Sequence, residues 1–212
     1  MMTCPNSASL RALRHVFLPY NWPFSEDHVI EGINLNLSRA WPSRRRMNWH
    51  LKKTVVLVGM MGAGKTAVGR ALAQMLHAPF LDSDAEIEKA ANMSIAEIFA
   101  RDGEPFFRDR ESQVIARLLE RRTGILSTGG GAFLAERNRR MISDLGVSVW
   151  LKADLDLLWS RVRHKDTRPL LRTPDPYGTL KALYEARVPL YAQADLSVMT
   201  DAGCAIETPH AA

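Results

Sequence analysis

Cysteine is scarce in this 212-residue chain: only Cys4 and Cys204 occur, near opposite ends and in no ligand-like spacing. They suggest neither a disulfide framework nor a zinc site, which fits a reducing compartment and an expected cytoplasmic location. Long apolar runs are missing too. None approaches the ~18 residues of a membrane span, so no membrane association is expected. There is no internal repeat and no low-complexity tract. Nor does one sign of charge dominate, since 28 basic residues face 23 acidic ones for a net +5. Residues 1–50 carry six basic residues (Arg11, Arg14, Arg39, Arg44, Arg45, Arg46) against three acidic ones (Glu26, Asp27, Glu31). The rest of the chain keeps 22 basic and 20 acidic residues and is nearly balanced. Its arginines therefore suit small anions better than a polyanionic surface, and no nucleic-acid partner is expected.

What is present begins at Leu51. The run Thr54 to Val58 is apolar and rich in β-branched residues, as a buried strand requires. It turns through Gly59-Met60-Met61-Gly62-Ala63-Gly64-Lys65-Thr66 into a helix-period stretch. That is G-x-x-x-x-G-K-[ST], the phosphate-binding P-loop, in its strand–loop–helix setting. Glycines let backbone N–H groups converge on phosphate oxygens at a helix N-terminus. Lys65 supplies a mobile positive charge to the β- and γ-phosphates, and the Thr66 hydroxyl is a ligand for Mg²⁺.

Beyond the P-loop, helical and strand patterns alternate. Strands are expected at Phe80–Asp82, Gly124–Ser127, Val147–Leu151 and Leu196–Met199. Helices are expected at Lys65–Leu76, Ala85–Ala91, Ser94–Asp102, Phe106–Arg121, Ala135–Leu145, Leu155–Val162 and Leu180–Tyr191. Ser94 followed by Glu97 is a capping box. Strands separated by helices imply a parallel sheet covered on both faces, with ligands at the carboxyl ends of its strands.

The remaining unusual residues fall at those ends. Asp82 and Asp84 follow the second strand; they suit a metal and a substrate hydroxyl, and equally an ordinary helix cap. Gly129-Gly130-Gly131 after a buried strand allows close approach of backbone to a ligand, or forms a plain loop. Arg108, Arg168 and Arg187 carry planar forks that donate two parallel hydrogen bonds to a carboxylate or phosphate.

The ordered set of P-loop, F-x-D-x-D, G-E-x-x-F-R, S-x-G-G-G, R-P-L-L and R-x-P-L-Y resembles the shikimate kinase family over roughly Leu51 to Met199. The resemblance implies a nucleoside-monophosphate-kinase-like P-loop NTPase, a three-layer αβα fold with a five-stranded parallel sheet in the order 2-3-1-4-5. It also implies a mobile lid around His164 to Pro176. The implied reaction is transfer of the ATP γ-phosphoryl group to the 3-hydroxyl of shikimate, on the route to chorismate, by a monomer using Mg²⁺. Carried onto this chain, Gly62, Ala63, Gly64, Lys65, Thr66 and Ala67 are expected at the ATP phosphates. Thr66 is expected to ligate the metal and Asp82 to hold it through water, with Ser127 helping that water shell. Asp84 is expected on the accepting hydroxyl, Arg108 and Arg187 on the shikimate carboxylate, and Gly129, Gly130 and Gly131 against the ring. Arg168 is expected to reach the phosphates from the lid, making Lys65, Asp84 and Arg168 the catalytic set.

Two stretches depart from the family pattern. Residues 1–48 hold Pro5, Pro19, Pro23 and Pro42 without sustained periodicity. They read as a poorly ordered extension, with Met47 as an alternative start, ahead of a kinase domain at 49–200. After Met199 the short tail 201–212 leaves little room for the family's closing helix and its adenine contact. Another small-molecule P-loop kinase, for gluconate or a nucleotide, is the nearest rival. A nucleotide kinase needs a second base pocket, whereas paired arginines with three glycines suit a small hydroxy-carboxylate.

Overall fold

The computed structural model describes residues 51–121, 123–164, 169–171 and 173–200. The expected extension at 1–48, the tail at 201–212 and Arg168 lie outside these residues.

The chain runs β1 (Thr54–Val58), α1 (Lys65–Leu76), β2 (Phe80–Asp82), α2 (Ser83–Ala91) and α3 (Ile95–Arg121). It continues with β3 (Ile125–Ser127), a 3₁₀ turn (Ala132–Leu134), α4 (Glu136–Leu145) and β4 (Gly146–Lys152). It ends in α5 (Leu155–Val162), a second 3₁₀ turn (Pro169–Leu171), α6 (Pro176–Tyr191) and β5 (Leu196–Met199). The five strands form one sheet in the order β2-β3-β1-β4-β5, and every pairing is parallel. This is the expected order.

β1 lies at the centre, and all five of its residues are buried. Successive side chains point to opposite faces of a strand. Val55 and Leu57 accordingly pack with Ala73 and Leu76 of α1 on one face. Val56 and Val58 join Ile115, Leu118, Ile142, Leu158 and Leu180 on the other, so α3, α4, α5 and α6 cover it. Burial on both sides is why β1 reads as an unbroken apolar run rather than an alternating one.

A third, smaller cluster of Ile87, Ile98 and Phe107 binds α2 to α3. The capping box forms: Ser94 N donates to Glu97 Oε2 at 2.7 Å and Glu97 N to Ser94 Oγ at 3.3 Å. The two helices expected at 94–102 and 106–121 are stacked into one run, broken at Gly103 with φ 81° and ψ 170°. Only glycine occupies that region at little cost, and Pro105, which lacks an N–H, begins the second half.

α6 starts at Pro176, four residues before its expected beginning at Leu180. Asp175 caps it by accepting from Gly178 N at 2.9 Å, and Pro176 fills the first turn, where its missing N–H costs nothing. In the expected lid, Leu171 is buried in the main core, so the segment's far side is anchored to the domain. Its middle, 165–168, lies outside the described residues.

Candidate functional site

The carboxyl ends of β1, β2 and β3 meet at a cavity of about 710 Å³, a volume typical of small-ligand sites. Its walls are Met61–Val68, Asp82, Asp84, Ser127–Gly130, Leu151, Arg161 and Val198–Thr200. Gly64, with φ 90°, caps α1 and delivers the chain into its first turn, so the N-terminus of α1 opens on this space. Lys65 is buried and lies back over the loop, its Nζ donating to the carbonyls of Gly59 at 2.8 Å and Met60 at 3.0 Å. Arg161 of α5 reaches the same loop, donating to the Gly62 carbonyl at 3.2 Å.

Asp82 has two tasks. Its Oδ1 caps α2, accepting from Asp84 N at 3.1 Å and Ala85 N at 3.4 Å. Its Oδ2 accepts from the Thr66 hydroxyl at 3.3 Å, and that hydroxyl lies 3.5 Å from Ser127 Oγ. The helix cap and the contact with the P-loop are shared between two oxygens of one carboxylate. Thr66, Asp82 and Ser127 thus gather three hard oxygen donors at one point beside the P-loop. That donor set fits a Mg²⁺ ion, which takes few protein ligands and keeps water and phosphate oxygens around it.

A second group lies against the triglycine segment. Arg108 is gripped from one turn before and one turn after it on its own helix face. Its Nε and Nη2 donate to Glu104 Oε1 at 3.1 and 2.9 Å, and its Nη1 to Glu111 Oε2 at 2.9 Å. Its guanidinium also faces the ring of Phe107 at 5.2 Å. Burial pushes Arg108 toward losing its proton, yet the carboxylates of Glu111 and Glu104 outweigh it and hold the value above the ordinary one. Glu111 is raised as well, against the usual direction for a carboxylate beside an arginine. Burial raises its pKa against the pull of Arg108, and Asp84 and Glu104 add to the rise. Its Oε1 has no hydrogen-bond partner among the described residues.

Gly129 and Gly131 are required by crowding. A Cβ on Gly129 would stand 2.7 Å from both Asp84 Oδ1 and Glu111 Oε1. One on Gly131 would stand 2.3 Å from Arg108 Nη1. Two carboxylates and a guanidinium therefore press on this backbone, which only hydrogen side chains allow. Arg187 is buried on α6, one turn before the buried Tyr191.

A family model described as shikimate kinase matches residues 61–208. The chain belongs to the shikimate kinase family. A shikimate kinase of Ruegeria pomeroyi is 78% identical over 157 residues, covering 74% of this chain and 80% of that protein. One from Cereibacter sphaeroides is 72% identical over 159 residues, covering 75% and 80%. Among solved structures, the shikimate kinase from Acinetobacter baumannii in complex with shikimate is 41% identical, with a TM-score of 0.69 over 71% of this chain and 85% of that one.

Of the family residues singled out in the sequence, Gly62 to Ala67, Asp82, Asp84, Ser127, Gly129 and Gly130 line one cavity. Arg108 and Gly131 touch each other at its side, and Arg187 is buried nearby on α6. Sequence reading gave no role to Ser83, Glu104, Glu111, Arg161 or Tyr191, although Glu104 and Tyr191 stand in the ordered motifs. Ser83 accepts from Gly129 N at 3.2 Å, tying the start of α2 to the triglycine segment. Glu104 and Glu111 were findable, because spacings of four and three around Arg108 put all three on one helix face.

Proposed function

We propose that this chain is a shikimate kinase, transferring the γ-phosphoryl group of ATP to the 3-hydroxyl of shikimate to give shikimate 3-phosphate and ADP. The observation that carries the reading is the joining of two half-sites. A P-loop with its oxygen cluster opens on the same cavity as Asp84 and Gly129–Gly130, and a carboxylate-braced Arg108 lies directly behind them.

The P-loop N–H groups and Lys65 hold the nucleotide phosphates. Mg²⁺ would be held by Thr66 directly and by Asp82 and Ser127 through water, and it supplies neutralisation of charge on the phosphates. Asp84 accepts the hydrogen bond of the 3-hydroxyl and turns its lone pair toward the γ-phosphorus. As the oxygen–phosphorus bond forms, the bond to the ADP oxygen breaks and the hydroxyl proton leaves toward Asp84. Little covalent chemistry is asked of the protein, because phosphoryl transfer depends mainly on positioning and charge stabilisation. Arg108 and Arg187 clamp the substrate carboxylate, and Gly129, Gly130 and Gly131 approach the ring. Arg168 is assigned to the phosphates, and closure of the expected lid would exclude water, which would otherwise take the phosphoryl group.

In this reading the kinase domain spans 49–200 and acts as a cytoplasmic monomer with no nucleic-acid or membrane partner. No helix among the described residues is long and apolar enough to cross a membrane. Product analysis tests the central step: phosphorus on the 3-oxygen of shikimate, found by NMR, supports it. Phosphate on another hydroxyl, or none, contradicts it.

A further inference from the structure

The reading above leaves Tyr191 without a task, although it is among the most deeply buried side chains, at 1% exposure. Its ring stacks on Trp150, centroids 6.1 Å apart, and its hydroxyl donates to the carbonyl of Gly130. That contact completes a pattern. The Gly129 carbonyl accepts from Ala132 N at 3.2 Å and the Gly131 carbonyl from Leu134 N at 3.1 Å. Asn138 Nδ2 holds the Ala132 carbonyl at 2.7 Å, and Arg139 Nη1 holds those of Phe133 and Leu134 at 3.0 and 2.6 Å. Every carbonyl from Gly129 to Leu134 is thus tied, and Tyr191 is the donor that reaches Gly130 from a different helix, 61 residues along the chain.

The Gly130 carbonyl and the Gly131 N–H belong to one rigid peptide plane. Fixing the oxygen fixes the direction of the N–H. Successive glycines have wide backbone freedom, so without this tether the plane could turn. Tyr191 also lies four residues after Arg187, on the same face of α6. One hydroxyl therefore sets the glycine backbone and the Arg187 helix in register.

Resting on the acceptor site described above, we propose that Tyr191 is a positioning residue: it pins the Gly130–Gly131 peptide and registers Arg187 with it, so that both meet the acceptor. Burial pushes its phenol up to about 12, with Arg187 and Arg108 pulling the other way and Glu111 adding to the rise. At neutral pH the hydroxyl is therefore protonated and able to donate.

Tyr191→Phe in the full chain tests this, because it keeps the ring and its stacking on Trp150. Without ligand, amide exchange in a peptide covering residues 128–134 should quicken by about tenfold while β1 stays unchanged, as expected for local opening. The KM for shikimate should rise about tenfold, with that for ATP within about twofold, equal to a loss of about 1.4 kcal/mol confined to the acceptor. Unchanged exchange overturns the tether. Both Michaelis constants rising together, or neither, overturns the positioning role. A wild-type chain without shikimate-dependent turnover overturns the acceptor reading and the positioning role with it, while exchange separately decides the tether.

Discussion

Two carboxylates in this site have opposite assignments, and their surroundings explain why. Asp84 stands at the cavity wall, where it can reach a ligand, whereas Glu111 is 1% exposed and spends one oxygen on Arg108. Asp84→Asn keeps the shape and removes the charge. Turnover should fall by at least about 10²-fold, the range for losing a group that assists proton transfer. ATP binding, followed by a fluorescent nucleotide, should remain nearly intact; equal loss of both would contradict the role. Glu111 makes a prediction about stability and pH. Its folded pKa lies above 4.5, so the folded state holds the proton more tightly than the unfolded state does. The stability this group contributes is fully present below its unfolded value and is lost as pH rises through the folded one. Glu111→Gln escapes that loss. Its melting temperature relative to wild type should therefore climb between about pH 4 and pH 7. A constant or falling difference would show that the pair with Arg108, not burial, governs the carboxyl. At this scale the sequence marked the groups that line the cavity, because charge and glycine in ordered motifs stand out. It hid Ser83 and Tyr191, whose partners are backbone groups 46 and 61 residues away.

Among the elements, those set by local pattern matched closely. β1, α1, β2, α5 and β5 have the expected bounds, since an apolar strand run or a helical period ends where glycine, proline or a polar cluster intervenes. The start of α6 was missed because Asp175-Pro176 looks like loop chemistry, although aspartate then proline is also a helix cap followed by a good first residue. α3 is the element with most consequence for the site. The break at Gly103 sets the direction of the half that carries Glu104, Phe107, Arg108 and Glu111. A Cβ there would have room, its nearest neighbour being Pro105 Cδ at 3.7 Å, so Gly103→Ala is costly through backbone strain and not through collision. Such strain amounts to about 1–3 kcal/mol. The expected result is a melting temperature lower by roughly 2–10 °C and a KM for shikimate that rises more than that for ATP. Unchanged melting would mean that the break relaxes freely.

For the molecule as a whole, the parallel sheet follows from the alternation of strands and helices, its order was legible only through the family resemblance, and the three layers follow from β1 being apolar on both faces. The ordered family motifs run from about Leu51 to Met199, and the residues named in the two apolar clusters around β1 belong to that span. Removing residues 1–46 should therefore leave turnover within about twofold and melting within about 2 °C, less than ~1 kcal/mol for a domain of this size. A large drop in either would mean that the extension packs on the domain. The joining of the two half-sites is the molecule-scale property from which the activity follows. Its most direct test is ADP release by the full chain with Mg-ATP, comparing shikimate, gluconate, nucleoside monophosphates and no acceptor. Strong release with shikimate alone is the expected result. Nucleotide binding without shikimate-dependent release, or faster release with another acceptor, would contradict it.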